Sequence, residues 1–158
     1  IIGPHEEDPE YAEECQALVE SLGLQNNIRF TGFMKVDEVL PKLGLLTLTS
    51  VSEGMPLAVI EAFAAGVPVV MTDVGAAAQL VRGGLDKADR ALGAAGEVTG
   101  IADPHALSAA YTRLLTDAAA WKACSKAAAA RAETYYTREK FLASYAGIYE
   151  KALKKWRA

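Results

Sequence analysis

Residues 52–66 read SEGMPLAVIEAFAAG and set two carboxylates, Glu53 and Glu61, eight positions apart in the most apolar stretch of a 158-residue chain. From Met55 to Gly66, Glu61 is the one side chain that is not apolar, Gly or Pro. An ionised carboxylate among apolar neighbours has to be paired or hydrogen-bonded. Two kinds of partner satisfy it. One lies in the fold: a backbone N–H, an arginine or a hydroxyl. The other is a ligand with a vicinal diol, because one carboxylate accepts hydrogen bonds from two adjacent hydroxyls, the way acidic residues take ribose in α/β folds. Glu53 is open in the same sense, since acids near helix N-termini are favoured by the helix dipole alone. With Glu61 about two turns further along, however, the pair brackets a helix start. Pro56 has no N–H, so the amides of Gly54, Met55, Leu57 and Ala58 are the donors there for an anion such as a diphosphate. A ligand with a sugar on each side of a diphosphate suits that arrangement.

These residues need a strand ending just before them and a helix starting just after. The run LLTLTS at 45–50 predicts a strand buried on both faces, where alternation disappears. A loop containing Ser50 and Ser52 follows, then a helix over 56–65 that stops at Gly66 and is apolar enough to be buried on most sides. VPVVMT at 67–72 is the next buried strand, before a turn at 73–75 and a helix over 76–81. The segment RGGLDKADRALGAAG, 82–96, reads as an exposed connection, followed by a short strand at 97–99. Asp103-Pro104 is a cap-and-proline helix start, and helices are expected over 104–115, 118–135 and 138–156.

Upstream, IIGP at 1–4 reads as the end of a buried strand, and Asp8-Pro9 opens a helix to about residue 22 that Gly23 stops. A strand over 28–31 turns at Gly32, and Asp37 caps a brief helix to 43. Strands alternating with helices imply an α/β fold, a doubly wound parallel sheet. Ligands bind such sheets beyond the carboxyl ends of the strands, where the 50–56 loop falls.

Composition narrows the partners. The chain has 16 Lys and Arg against 20 Asp and Glu, a net charge of -4, which gives no broad cationic field for nucleic acid. Cys15 and Cys124 stand alone, with no CxxC or Cys/His cluster, so neither zinc nor a redox pair is indicated and a reducing, cytoplasmic compartment fits. His5 and His105 are isolated and receive no role. No window approaches the run of about 18 apolar residues that a membrane span needs. The abrupt opening at Ile1 leads us to expect a piece of a longer chain.

Residues 49–75, TSVSEGMPLAVIEAFAAGVPVVMTDVG, resemble the E-x7-E region of retaining glycosyltransferase family 4, in the nucleotide-binding C-terminal half of a GT-B enzyme. The flanks IIGP, NNIRFTGF, ADPHALSAAYTRLLTD and YYTREKFLASYAGIYEKAL fall where that family has its strands and helices. In detail the chain is most similar to the Pel-type exopolysaccharide glycosyltransferases of bacteria. The resemblance implies a Rossmann-like fold with C-terminal helices, and it spans residues 1–158. It makes Glu53 the catalytic glutamate, in contact with donor-sugar hydroxyls near the reacting centre. Gly54, Met55 and Leu57 match the loop whose amides meet sugar and diphosphate, and Glu61 matches the glutamate that binds ribose. Ser50 and Ser52 match the polar loop entering the motif. Thr31, Gly32 and Phe33 match the turn beside the nucleobase.

The implied donor is a UDP-sugar, UDP-glucose before others, transferred to a growing exopolysaccharide with the anomeric configuration unchanged. No cofactor or metal is implied, and no Asp-x-Asp motif is present to hold one on a diphosphate. The family's basic residues for the phosphates would precede Ile1. So would the acceptor-binding N-terminal half and one strand from the middle of the sheet. Gln79 stands where the family often carries glutamate, within AAAQL, which leaves the sugar preference open. The cluster Lys151, Lys154, Lys155 and Arg157 around Trp156 reads either as a cation-rich helix end or as a contact for an anionic inner membrane face or a membrane-bound polysaccharide synthase. A nucleotide-sugar binding module or scaffold without chemistry of its own is the other reading.

Overall fold

The computed structural model describes residues 1–157, with Arg157 described in its backbone only. The chain divides into two compact units, Ile1–Val39 and the residues from Leu40 onward.

In the first unit, α1 spans Pro9–Ser21, and the Asp8 carboxylate accepts from the Tyr11 amide at 3.1 Å. The helix ends where the Leu24 amide returns to the Val19 carbonyl at 2.9 Å across Gly23, as the sequence predicts. The two expected strands are not formed. The Ile1 amino group donates to the Arg29 carbonyl at 2.7 Å and the Thr31 amide to the Ile1 carbonyl at 3.0 Å, which starts a parallel pair. Gly3 then donates to Gly32 at 3.1 Å instead of to residue 31, so the register slips and no ladder builds. α2 covers only Val36–Val39, and a 3-10 turn, Leu40–Lys42, follows it in sequence. Pro41 lacks the N–H that would continue the α-helical bonding, which divides the expected 37–43 helix.

The second unit is a parallel sheet in the order β1 (Leu46–Leu48), β2 (Val69–Thr72), β3 (Gly96–Thr99). Leu46 pairs with Val69, Val69 with Gly96, and Thr72 with Thr99. Every residue of β2 is buried, in agreement with its unbroken apolar run. Val69 and Met71 join one core with Val59, Phe63, Leu80 and Ala128, while Val70 joins another with Ala110, Leu114 and Cys124. Helices therefore cover both faces. β1 departs from expectation: Thr47 is exposed and Leu46 and Leu48 are only half-buried, because β1 lies at the edge of this sheet, paired on one side.

α3 (Leu57–Ala64) connects β1 to β2, and α4 (Ala77–Arg82) and α5 (Lys87–Ala91) connect β2 to β3. α6 (Pro104–Thr116), α7 (Ala118–Tyr135) and α8 (Arg138–Arg157) complete the chain close to their expected bounds. Asp103 caps α6 through the Ala106 amide at 2.9 Å.

The segment 82–96 is not an exposed connection. It holds α5, and Asp89 within it is fully buried against fully buried Arg131 of α7, Nε to Oδ1 at 2.6 Å. Asp89 Oδ2 also accepts from the amides of Gly84 and Leu85 at 2.9 and 3.1 Å. Three of the guanidinium's four other N–H groups donate to the carbonyls of Val81, Asp89 and Gly93. A buried pair is tolerable only when most of its other hydrogen bonds are met, as they are here. Asp86 accepts from the Asp89 amide and from the Tyr135 hydroxyl, and these two bonds hold its carboxyl below the ordinary range.

The turn after β3 contains the one non-glycine residue of positive φ among those described, Ala102 at 54°. A left-handed conformation costs a residue with a Cβ about 1–2 kcal/mol. Ala102→Gly is therefore expected to raise the melting temperature by about 2–4 °C for each kcal/mol of relief. A calorimetric scan of the two proteins checks it.

Candidate functional site

β1 delivers the chain to Thr49, and the loop to Pro56 crosses the carboxyl end of the sheet before α3 begins at Leu57. Three neighbours hold this loop. The Thr72 hydroxyl, at the end of β2, donates to the Ser50 carbonyl. The Ala76 amide, ahead of α4, donates to the Gly54 carbonyl at 2.8 Å. Gly75, with φ of 54°, lies so close to the Glu53 and Gly54 carbonyls that a Cβ would overlap both. No other residue combines that φ with that approach at ordinary cost.

Within the loop the Ser50 hydroxyl donates to Glu53 Oε1 at 2.7 Å, and Glu53 is half-buried. Ser52 is exposed. Pro56, extended at φ -68° and ψ 120°, precedes the helix, and no side chain caps its first turn. The Leu57 and Ala58 N–H groups are thus orphan donors by helix geometry, and the first turn carries no acidic residue to neutralise them. Gly54 and Met55 are exposed beside them, and Leu57 is 71% exposed.

Glu61 corrects the sequence reading. It is exposed, not buried, and among the described residues its carboxylate makes no hydrogen bond or ion pair. α3 buries Val59, Ala62 and Phe63 on one face and leaves Leu57, Ala58, Glu61 and Ala64 on the other. Alanine makes a helix look apolar all round while being nearly indifferent to which side it takes, so the exposed face is hidden in the hydropathy pattern. No partner inside the core claims the carboxylate.

Met55, Leu57 and Ile60 also line a cleft of about 720 Å³ whose other wall is the α7–α8 junction, with Tyr135, Tyr136 and Phe141. The structure thus brings together Ser50, Glu53, Gly54, Met55, Leu57 and Glu61 on one loop and helix face. Thr31, Gly32 and Phe33 belong to the first unit, where the Thr31 hydroxyl donates to the Ile1 carbonyl at 3.2 Å and Phe33 is 81% exposed. Sequence reasoning missed Thr72, Gly75 and Ala76 as supports of the loop. Their signal was the TDVG turn, legible only as a turn.

Burial pushes the pKa of the Cys124 thiol up, with Arg113 opposing. Among the described residues no three His, Cys, Asp or Glu side chains converge as a metal site, and no helix is long and apolar enough to cross a membrane.

Residues 1–117 match the family model described as Glycosyl transferases group 1. Over 153 residues the chain is 29% identical to the lipopolysaccharide core biosynthesis mannosyltransferase LpsB of Rhizobium meliloti, covering 96% of this chain and 41% of LpsB. Its fold superposes on Anabaena HepE, solved with UDP and glucose, with a TM-score of 0.82 at 22% identity, over 95% of this chain and 39% of HepE. It also superposes on the C-terminal domain of the group 1 glycosyltransferase LpcC of Francisella tularensis, with a TM-score of 0.70 at 20% identity, over 84% of this chain and 65% of that one. The chain thus spans about two fifths of the length of LpsB and HepE. The architecture is the Rossmann-like C-terminal domain of a GT-B glycosyltransferase. By the family model, which matches residues 1–117, the chain belongs to the group 1 glycosyltransferases.

Proposed function

We propose that this chain is the donor-binding half of a retaining GT-B transferase of family 4, of Pel type, that moves glucose from UDP-glucose to a growing bacterial exopolysaccharide. The observation that carries the reading is the uncapped start of α3, with Glu53 on the loop before it and Glu61 exposed one turn beyond. The diphosphate is held by the amides of Gly54, Met55, Leu57 and Ala58 and by the positive end of the helix dipole. Glu61 takes the ribose diol, and Glu53 touches hydroxyls of the sugar beside the bond that breaks. Ser52 stands at the entrance of this loop. Amide donors fixed before the reaction stabilise the departing UDP as its charge develops, and no metal is called on. The solved HepE complexes with UDP and UDP-glucose support the donor class.

An N-terminal half of a longer chain supplies the acceptor site. α8 gives it a surface: Phe141, Leu142, Tyr145, Ile148, Tyr149 and Leu153 form an exposed apolar stripe. Lys151, Lys154 and Lys155 beside Trp156, 85% exposed, offer a contact to the inner membrane face or a membrane-bound synthase, in a cytoplasmic enzyme. The Arg157 side chain of that cluster lies outside the described residues.

The test is transfer by the full-length protein from UDP-glucose, with GDP-mannose as the competing donor and with EDTA present. We expect glucose transfer from UDP-glucose, a product whose anomeric configuration by NMR equals the donor's, and a rate unchanged by EDTA. The present chain alone should bind donor and transfer nothing. Similarity to LpsB favours a mannosyl donor as the second reading. Preference for GDP-mannose would establish that reading in place of the first.

A further inference from the structure

We infer that Ser50 and Thr72 are positioning residues for the Glu53 carboxylate rather than ligands of the donor, an inference that rests on the proposed role of Glu53. A serine hydroxyl carries one proton, and that of Ser50 is given to Glu53 Oε1 at 2.7 Å. In this arrangement the Ser50 hydroxyl has no proton left to donate to a diphosphate, whose oxygens only accept. The serine in turn is placed by Thr72, which is 2% exposed and so removed from water. Its hydroxyl donates to the Ser50 carbonyl. Thr72 is itself fixed at the last rung of β2, in register with Thr99.

The chain of contacts runs from the rigid centre of the sheet, through Thr72 and the Ser50 backbone, to the Ser50 hydroxyl and one oxygen of Glu53. The backbone of Glu53 and Gly54 is held separately, by Gly75 and the Ala76 amide. Removing the Ser50 hydroxyl therefore releases the carboxylate while leaving the loop in place. Glu53 has several torsions between backbone and carboxylate, and a charge-assisted bond to a fixed hydroxyl selects among them. With Oε1 so occupied, Oε2 remains to meet a sugar hydroxyl.

Calorimetric titration of UDP and of UDP-glucose into the full-length protein tests this with the variants Ser50→Ala, Ser50→Thr, Thr72→Val, Glu53→Ala and the double variant Ser50→Ala/Glu53→Ala. Ser50→Ala should weaken UDP-glucose binding about tenfold, the loss of one charge-assisted bond, Thr72→Val should weaken it less because it removes a neutral bond to the Ser50 carbonyl, and both should change UDP binding less than about twofold. Ser50→Thr should restore the sugar nucleotide. On the Glu53→Ala background, Ser50→Ala should cost nothing more, because its effect passes through the carboxylate. Equal weakening of UDP and UDP-glucose by Ser50→Ala would overturn the inference and make Ser50 a diphosphate ligand. Additive losses in the double variant would also overturn it. Should Thr72→Val fail to fold, the serine variants alone decide. Absence of binding of either nucleotide by the wild-type protein would instead sink the proposed function itself, and the inference with it.

Discussion

Arg131→Met is expected to destabilise the fold by about 3–5 kcal/mol, because it leaves the Asp89 carboxylate buried without its counter-charge. For a domain of this size that is a fall in melting temperature on the order of 10 °C. The loss has two parts: the ion pair, and the guanidinium's hydrogen bonds to the carbonyls of Val81, Asp89 and Gly93, although Val81 keeps the Ala95 amide and Asp89 the Leu92 amide. The double variant Arg131→Met/Asp89→Asn should recover part of it, since a neutral amide is cheaper to bury than a lone carboxylate. Full recovery is not expected, as Asp89 Oδ2 also anchors the Gly84 and Leu85 amides. Thermal and urea denaturation of the wild-type, single and double variants measure the loss and its recovery. A single variant within about 1 kcal/mol of wild type would mean that the cluster is wetter than its zero exposure implies.

The second large effect is on binding. Glu61→Ala should weaken UDP and UDP-glucose alike by about a hundredfold or more. The variant removes the acceptor of two ribose hydroxyls, and hydrogen bonds to charged groups contribute about 1.5–3 kcal/mol each. It should leave stability nearly unchanged, because Glu61 is exposed and touches no partner among the described residues. That combination separates a ligand contact from a structural one. A Glu61 that served the core would lose stability with the mutation; a ribose clamp loses only affinity. Titration and denaturation of the same protein preparation give both numbers.

How much of this was legible in the residues depended on sequence distance. Glu53, Gly54, Pro56 and Glu61 lie within one loop and one helix, so spacing alone placed them at a helix start, and there they are. Asp8 and Asp103 announced their helices for the same reason, each being followed by proline and accepting from an amide three residues on. Asp89 and Arg131 are 42 residues apart, and nothing in RGGLDKADRALGAAG separates a charge that will be buried from one that will be solvated. Thr72 reaches Ser50 across 22 residues, through a strand pairing that only the assembled sheet creates. The exposure of Glu61 was misread because Ala58, Ala64 and Ala65 count as apolar while lying on the open side of α3. Local chemistry was readable, whereas contacts made by topology were not.

The most direct test of the donor site is the structure of the full-length protein with UDP-glucose bound. The account predicts diphosphate oxygens within hydrogen-bonding distance of the Leu57 and Ala58 amides, both ribose hydroxyls on the Glu61 carboxylate, and a sugar hydroxyl on Glu53. A nucleotide seated elsewhere, with the start of α3 open to water and Glu61 out of reach of the ribose, would contradict it.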